Sequence, residues 1–305
     1  DKGGPLKFDP AYVKGLTTTL TQHPTIELVC NGELEATYRI SYEWELPEAI
    51  ETDLHIHVPH GSEWVDQGML KRSDAKKTMF ITSDVTLKKD AAALDFHTTV
   101  NNTIRDHRLR LMFRTGMSKA EYAYADAPYD IVSRPIALPD STGWYEEAAK
   151  TWPTKSLVSV TDGESTLSVY HRGLSEYEVT DNESRTIALT LLRCFSTAGN
   201  PTETYRYQEL AECQGKHSFK YQLSVEAEQL STACMWQAAN DFNVPVHTVQ
   251  TTRHNGEWKQ RDSFVTVSTP EFAVTALKQA ENGNGLARKG RCKRGRGHER
   301  EERYV

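Results

Sequence analysis

No apolar run in this 305-residue chain approaches the ~20 residues that a membrane-spanning helix requires. The opening DKGGPLKFDP lacks the basic-then-apolar order of a secretory leader, so a cytoplasmic location is expected. Five cysteines, Cys30, Cys194, Cys213, Cys234 and Cys292, are scattered without a C-x-x-C pair. That pattern argues against a metal knuckle or redox motif and for reduced thiols. H-E-x-x-H, G-x-S-x-G and Walker-loop signatures are all missing. Carboxylates are plentiful, at 42, but their number does not show which two stand about 5 Å apart, as retaining glycoside hydrolysis requires. Helical periodicity is scarce too: only Glu226 to Asn240, with Leu230, Ala233, Cys234 and Gln237, reads as a helix.

What the sequence has is alternation. From residue 34 to 46 the even positions are Leu34, Ala36, Tyr38, Ile40, Tyr42, Trp44 and Leu46, while polar residues fill the odd ones. A strand with one buried face requires that pattern. Similar runs occur at Leu54 to Val58, Met79 to Leu87, Leu94 to Val100, Arg108 to Phe113, Leu167 to His171, Arg185 to Arg193, His217 to Val225 and Ser263 to Ser268. Long strands joined by polar turns predict an all-β chain, a large antiparallel β-sandwich with one short helical segment. Ala127 to Pro153 lacks alternation and is expected to run over the sheets as a long connection.

Two clusters invite a chemical reading. In LHIHVPH, His55 and His57 share one side of a strand and His60 follows a turn, the nearest approach to a metal site. With Leu54, Ile56 and Val58 on the opposite side and no Cys or carboxylate placed to help, a decorated surface strand is the better reading. In NNTIRDHRLRLMF, Asp106, His107, Arg108 and Arg110 crowd a turn that feeds directly into a strand. A turn between strands leaves backbone groups unpaired, and an Asp acceptor with Arg donors can satisfy them while pairing with each other. That structural role is preferred, with a pocket or interface role as the alternative.

The runs TVNNTIRDHRLRLMFRTG, YADAPYDIVSRP, HRGLSEYEV, RTIALTLLR and CQGKHSFKYQL, in that order and spacing, resemble the C-terminal β-domain of the zinc-dependent α-mannosidases of glycoside hydrolase family thirty-eight, particularly the bacterial branch. The likeness runs from about Thr25 to about Leu286. It implies a galactose-mutarotase-like supersandwich that follows an α/β catalytic domain and a helical bundle. In that family the nucleophile and the zinc ligands lie in the earlier parts, so no residue here inherits a catalytic role. Zinc belongs to the complete enzyme, and no cofactor is expected in this chain.

The resemblance implies that this chain forms the non-catalytic portion of an enzyme hydrolysing terminal α-mannosides with retention. Expected partners are the missing catalytic and helical-bundle domains and an α-mannoside carbohydrate, with no membrane. Asp106, His107, Arg108, Tyr129, Asp130, Arg134, Glu176 and Tyr177 are the candidates for the substrate rim or the domain interface. Tyr129 and Tyr177 qualify because aromatic rings suit the apolar side of a pyranose. A free-standing carbohydrate-binding or structural module is the competing reading.

The sandwich is expected to occupy residues 1–286, and 287–305 to form a basic, disordered tail. From Arg288 onward eight Lys or Arg face three Glu, a net of +5 in a chain of net −6. Nucleic-acid binding by this tail is not the preferred reading. A reading frame lost after Leu286 would explain the change, and would leave an exposed edge near Phe264 to Lys278. A sandwich cut from its catalytic partner is also expected to self-associate.

Overall fold

The computed structural model describes residues 16–51, 71–144, 148–195, 197–198, 206–207, 209–253 and most of 255–292. Its strands are, in chain order, β1 (Thr25–Asn31), β2 (Glu35–Pro47), β3 (Ile50–Glu51), β4 (Lys71–Arg72), β5 (Lys76–Lys88), β6 (Ala93–Asn102), β7 (Arg108–Phe113), β8 (Tyr122–Asp126), β9 (Ile131–Pro135) and β10 (Trp152–Pro153). They continue with β11 (Leu157–Thr161), β12 (Thr166–His171), β13 (Glu176–Val179), β14 (Ile187–Arg193), β15 (Thr197–Ala198), β16 (Arg206–Tyr207), β17 (Gly215–Glu226), β18 (Phe272–Gln279) and β19 (Leu286–Cys292). Among the described residues one α-helix, α1 (Thr232–Asn243), stands between β17 and β18.

The strands form an all-β sandwich of two unequal sheets, with β3-β4, β15-β16 and β18-β19 as separate two-stranded ladders. The larger has nine strands in the order β1-β2-β5-β6-β17-β12-β11-β8-β9, and the smaller has four, β10-β13-β14-β7. Every pairing within them is antiparallel. The core lies between the sheets, where Met79, Val100, Val158, Val160 and Val169 meet Tyr177, Ile187 and Leu189. On the far side of the large sheet, Met235 and Ala239 of α1 cover Leu157 and Tyr170. Strand β11 is therefore buried at all its positions, with the small sheet on one face and α1 on the other.

The small sheet is too narrow to cover the large one. Leu28, Tyr38, Val85, Phe96 and Tyr221 stand opposite one another across five strands, so they form one apolar row on the core side. At the β17 end Tyr221 is 2% exposed, stacked on Phe96 with centroids 5.0 Å apart and edge-on to Phe113. At the β1–β2 end Leu28 is 50% and Tyr38 49% exposed, and Ile26 and Leu87 lie open beside them.

Several sequence expectations are corrected. The helix begins at Thr232, because Glu226 still pairs with Thr166 and Ser231 caps the helix by accepting from the Cys234 N–H at 3.2 Å. Its buried residues are Met235 and Ala239, while Cys234 is exposed. The stretch from Ala127 to Pro153 is not a plain connection: it contains β9, which pairs with β8, and β10, which pairs with β13. Among the described residues of 263–268 no strand forms, although the sequence alternates there. Alternation only marks a face, and a ladder also needs a partner strand.

The C-terminal stretch differs as well. Residues 287–292, expected to open a disordered tail, form β19 and pair with β18 from Gln279↔Leu286 to Phe272↔Cys292. Backbone hydrogen bonding does not require apolar alternation, so a basic strand can complete a hairpin. Lys278 therefore has β19 on one side, while among the described residues no strand pairs with the other edge of β18. The expected strand Leu54 to Val58, with His55, His57 and His60, lies outside the described residues.

Candidate functional site

The turn between β6 and β7 is a buried corner wired to distant segments. Asp106 has φ +51°, a left-handed conformation that non-glycine residues adopt infrequently. Its N–H donates to Glu212 Oε2 at 2.9 Å, and its Oδ2 accepts from the Ile50 N–H at 3.3 Å. Arg72 clamps the outside, donating to the carbonyl oxygens of Asp106 at 2.7 Å and Pro47 at 3.1 Å. Asn102 Nδ2 donates to the carbonyls of Glu212 at 3.0 Å and Cys213 at 2.8 Å.

Burial, reinforced by the Asp106 carboxylate, raises the Glu212 carboxyl to about 7 even though the Asp106 N–H bond opposes the shift. Burial likewise lowers the His107 imidazole to about 4, with Arg72 adding to the effect. The Arg105 backbone opposes the shift only weakly, so at neutral pH His107 is an uncharged ring packed in the corner. Arg72, from the distant β4, is thus an arginine at the Asp106 backbone.

Arg108 and Arg110 turn to the outer face of the small sheet. The Arg108 side chain, 4% exposed, donates to Glu176 Oε1 at 2.5 Å and Thr190 Oγ1 at 3.2 Å. Thr190 Oγ1 donates to the same carboxylate oxygen at 2.8 Å, and Arg110 pairs with Glu178 at 2.5 Å. Burial lowers the Arg108 guanidinium, and Arg110 beside it adds to that, while Glu176 opposes.

The candidate Arg134 meets Tyr177 in a cleft of about 190 Å³. The Tyr177 ring is fully buried in the core, and its hydroxyl accepts from Arg134 Nη1 at 3.2 Å. The Arg134 guanidinium lies 5.2 Å from the Trp152 ring centroid, with Lys150, Glu178, Thr180 and Asp181 completing the polar lining. Burial raises the Tyr177 phenol, an effect Arg134 opposes. Asp130 and Tyr129 stand apart from this cleft's lining: Asp130 caps the Ile131 N–H at 2.8 Å, and Tyr129 is 71% exposed.

A larger groove of about 420 Å³ runs over the polar face of the large sheet, walled by α1. Arg39 pairs with Asp84 through two bonds of 2.7 and 2.9 Å, and Lys88 pairs with Asp95 at 2.7 Å. The Arg39 bonds hold the Asp84 carboxyl below its usual range. His97 Nε2 lies 2.7 Å from Ser218 Oγ, and Arg172 stacks 4.5 Å from the Phe242 centroid.

Sequence reasoning missed Arg72, Glu212, Trp152 and the whole groove. Arg72 and Glu212 lie far along the chain from the turn they complete. The alternation of polar residues in β2, β5, β6 and β17 marked the groove's face without marking its depth. Among the described residues no three of His, Cys, Asp or Glu gather as metal ligands, so the residues on view do not fit a zinc ion.

The class that the fold defines is an all-β sandwich of two unequal antiparallel sheets with polar clefts on its surface. Residues 7–198 match the model of the glycosyl hydrolases family 38 C-terminal domain, and the chain belongs to that family. It is 28% identical over 269 residues to a "Putative mannosylglycerate hydrolase" of Halalkalibacterium halodurans, covering 88% of this chain and 29% of that protein. An alpha-mannosidase from Enterococcus faecalis V583 superposes with a TM-score of 0.78 at 32% identity, covering 93% of this chain and 31% of that one. A family 38 glycosyl hydrolase from Enterococcus faecalis gives 0.75 at 31% identity, with 93% and 32% covered. The chain therefore spans about a third of the length of these relatives.

Proposed function

We propose that this chain is the C-terminal, non-catalytic portion of a cytoplasmic glycoside hydrolase that removes terminal α-mannosyl residues with retention. The catalytic carboxylates and the zinc ion belong to a preceding part of the polypeptide; retaining hydrolysis needs a nucleophile and an acid/base about the anomeric carbon. Mannosylglycerate is a candidate substrate, as the name of one relative suggests, and α-mannosides in general follow from the name of another; mannosyl-oligosaccharides are the candidates among the latter.

The observation that carries this reading is the uncovered end of the large sheet. Ile26, Leu28, Tyr38 and Leu87 present an apolar surface on the core side of the sandwich, beyond the edge of the small sheet. An open apolar patch of this kind marks a contact surface, and relatives about three times as long supply polypeptide to cover it. The chain docks there, supports the active site, and offers Arg134 and Trp152 as a rim for the sugar, with the buried Tyr177 holding Arg134 from below. Sedimentation of this chain with the separately expressed preceding domains tests the docking: a 1:1 complex supports it, and independent sedimentation at tens of micromolar opposes it.

The groove over the polar face favours a second reading, a carbohydrate-binding module acting by itself. Calorimetric titration of the chain alone with mannose and α-mannosides separates the two readings. Saturable heats abolished by Asp84→Ala favour the module.

A further inference from the structure

The corner holds a feature that neither the fold nor the proposed activity uses, namely two cysteines in facing positions. Cys194 follows β14 and is fully buried in the main core, while the half-buried Cys213 precedes β17 and packs against the same core. One side-chain nitrogen spans them: Asn102 Nδ2 lies 3.6 Å from Cys194 Sγ and 2.8 Å from the Cys213 carbonyl oxygen. The two strands of chain also meet through their backbones, the Phe195 N–H donating to the Ala211 carbonyl at 3.4 Å. The Cys213 Sγ itself donates to the Ala211 carbonyl at 3.7 Å, the same carbonyl that the Phe195 N–H meets. Both cysteines are free thiols in this structure.

We propose that Cys194 and Cys213 form a reversible disulfide under oxidising conditions, an oxidation site that ties the end of β14 to the start of β17 across the Asp106–Glu212 corner. The oxidant is a small disulfide of the glutathione class. Cys213 is the more accessible partner and reacts first: its thiolate attacks one sulfur of the oxidised reagent, giving a mixed disulfide and expelling one reduced thiolate. Cys194 then loses its proton and attacks the Cys213 sulfur, expelling the second reduced thiol. Two hydrogens leave the protein, and the reagent is reduced to two thiols. Burial pushes the Cys194 thiol well above the usual range, with Cys213 and Glu212 adding to it, which makes the second step the slow one.

The cross-link closes residues 195–212 into a loop, and so narrows the unfolded ensemble more than the folded one. This inference does not depend on the mannosidase reading, since it concerns only groups within the chain. The native full chain is incubated with oxidised glutathione at pH 8, its free thiols are alkylated, and it is digested with trypsin. Cleavage after Arg193, Arg206 and Lys216 gives peptides 194–206 and 207–216. The expected product is these two peptides joined, with an intact mass lower by two hydrogens and a melting temperature raised by several degrees. Added dithiothreitol reverses both changes.

Cys194→Ala and Cys213→Ser should each abolish the linked pair and the melting shift, the latter also removing the rapid first adduct. The wild-type digest needs no variant to fold. A stable glutathione adduct on Cys213 that never converts, or linkage to Cys30 or Cys234 in comparable yield, would overturn the proposal. So would oxidation only in denaturant.

Discussion

The backbone N–H of Asp106 donates at 2.9 Å to Oε2 of Glu212, a residue 106 positions further along the chain. That bond joins the β6–β7 turn to the short 3-10 turn Glu209–Glu212 and puts a carboxyl that is 1% exposed at the centre of the corner. The same carboxyl also faces the Asp106 carboxylate, which favours its protonated form. The corner is accordingly a place where protonation and folding are linked.

Stability should depend on pH through Glu212 in one direction. Its folded value, about 7, is raised from 4.5, so its contribution is fully present below pH 4.5 and is lost as pH rises through 7. Glu212→Gln keeps an acceptor for the Asp106 N–H without the charge. Urea melts at pH 6 and pH 8 should show the variant gaining on wild type at the higher pH, and an equal difference at both would contradict this. Glu212→Ala should cost about 1–3 kcal/mol by leaving that N–H unpaired.

Two buried imidazoles act with the opposite sign. His107 and His171 are both lowered from 6.5 to about 4 by burial. Their contribution is present above pH 6.5 and is lost as pH falls through that range toward 4, on the order of 2–3 kcal/mol for each ring. Two histidines outweigh one glutamate between pH 6.5 and 4.5, so acidification should destabilise the chain. His107→Phe, which keeps an aromatic ring in the core, should flatten that dependence in denaturant titrations.

Replacement of Asp106 separates the corner role from a rim role. Asp106→Ala loses the bond to the Ile50 N–H and keeps a Cβ at φ +51°, and should cost about 1–3 kcal/mol. Asp106→Gly should cost less, because glycine accepts that backbone freely. An unchanged melt for Asp106→Ala, with impaired turnover in the complete enzyme, would transfer the residue from the corner to the rim.

Tyr177→Phe removes only the hydroxyl that Arg134 meets at 3.2 Å. The isolated chain should lose about 1 kcal/mol or less. In the complete enzyme, KM for an α-mannoside should rise several-fold with kcat little changed, because Arg134 loses the hydroxyl that positions it at the rim. Identical kinetics for the variant would remove the cleft from the account.

The uncovered sheet end should drive association of the isolated chain. Light scattering at increasing concentration should show oligomers, and Leu28→Glu with Tyr38→Glu should return the protein to a monomer. Wild type that stays monomeric at high concentration would argue against an exposed docking face.

Much of the sheet structure was legible in the sequence because its strands bury one face. Arg108 to Phe113 matched β7 end for end, and the run to Leu46 lies almost wholly within β2. Strand β11 was not legible, since burial on both faces erases alternation, and β13 is only four residues long. The alternation of β2 also promised a buried Tyr38, which is exposed because the small sheet ends before reaching it. Of the candidate residues, Arg108 with Glu176 and Arg134 with Tyr177 come together, whereas Glu212 and Arg72 carried no local signal of the turn they complete.

The most direct test of the account is reconstitution. The preceding catalytic and helical-bundle domains, expressed without this chain, are loaded with zinc and assayed on a chromogenic α-mannoside with increasing amounts of purified chain. The account predicts no turnover from either part alone and saturable activity when they are mixed, lost with Leu28→Glu and Tyr38→Glu. Full activity of the preceding domains without this chain, or zinc-dependent turnover by this chain alone, would contradict it.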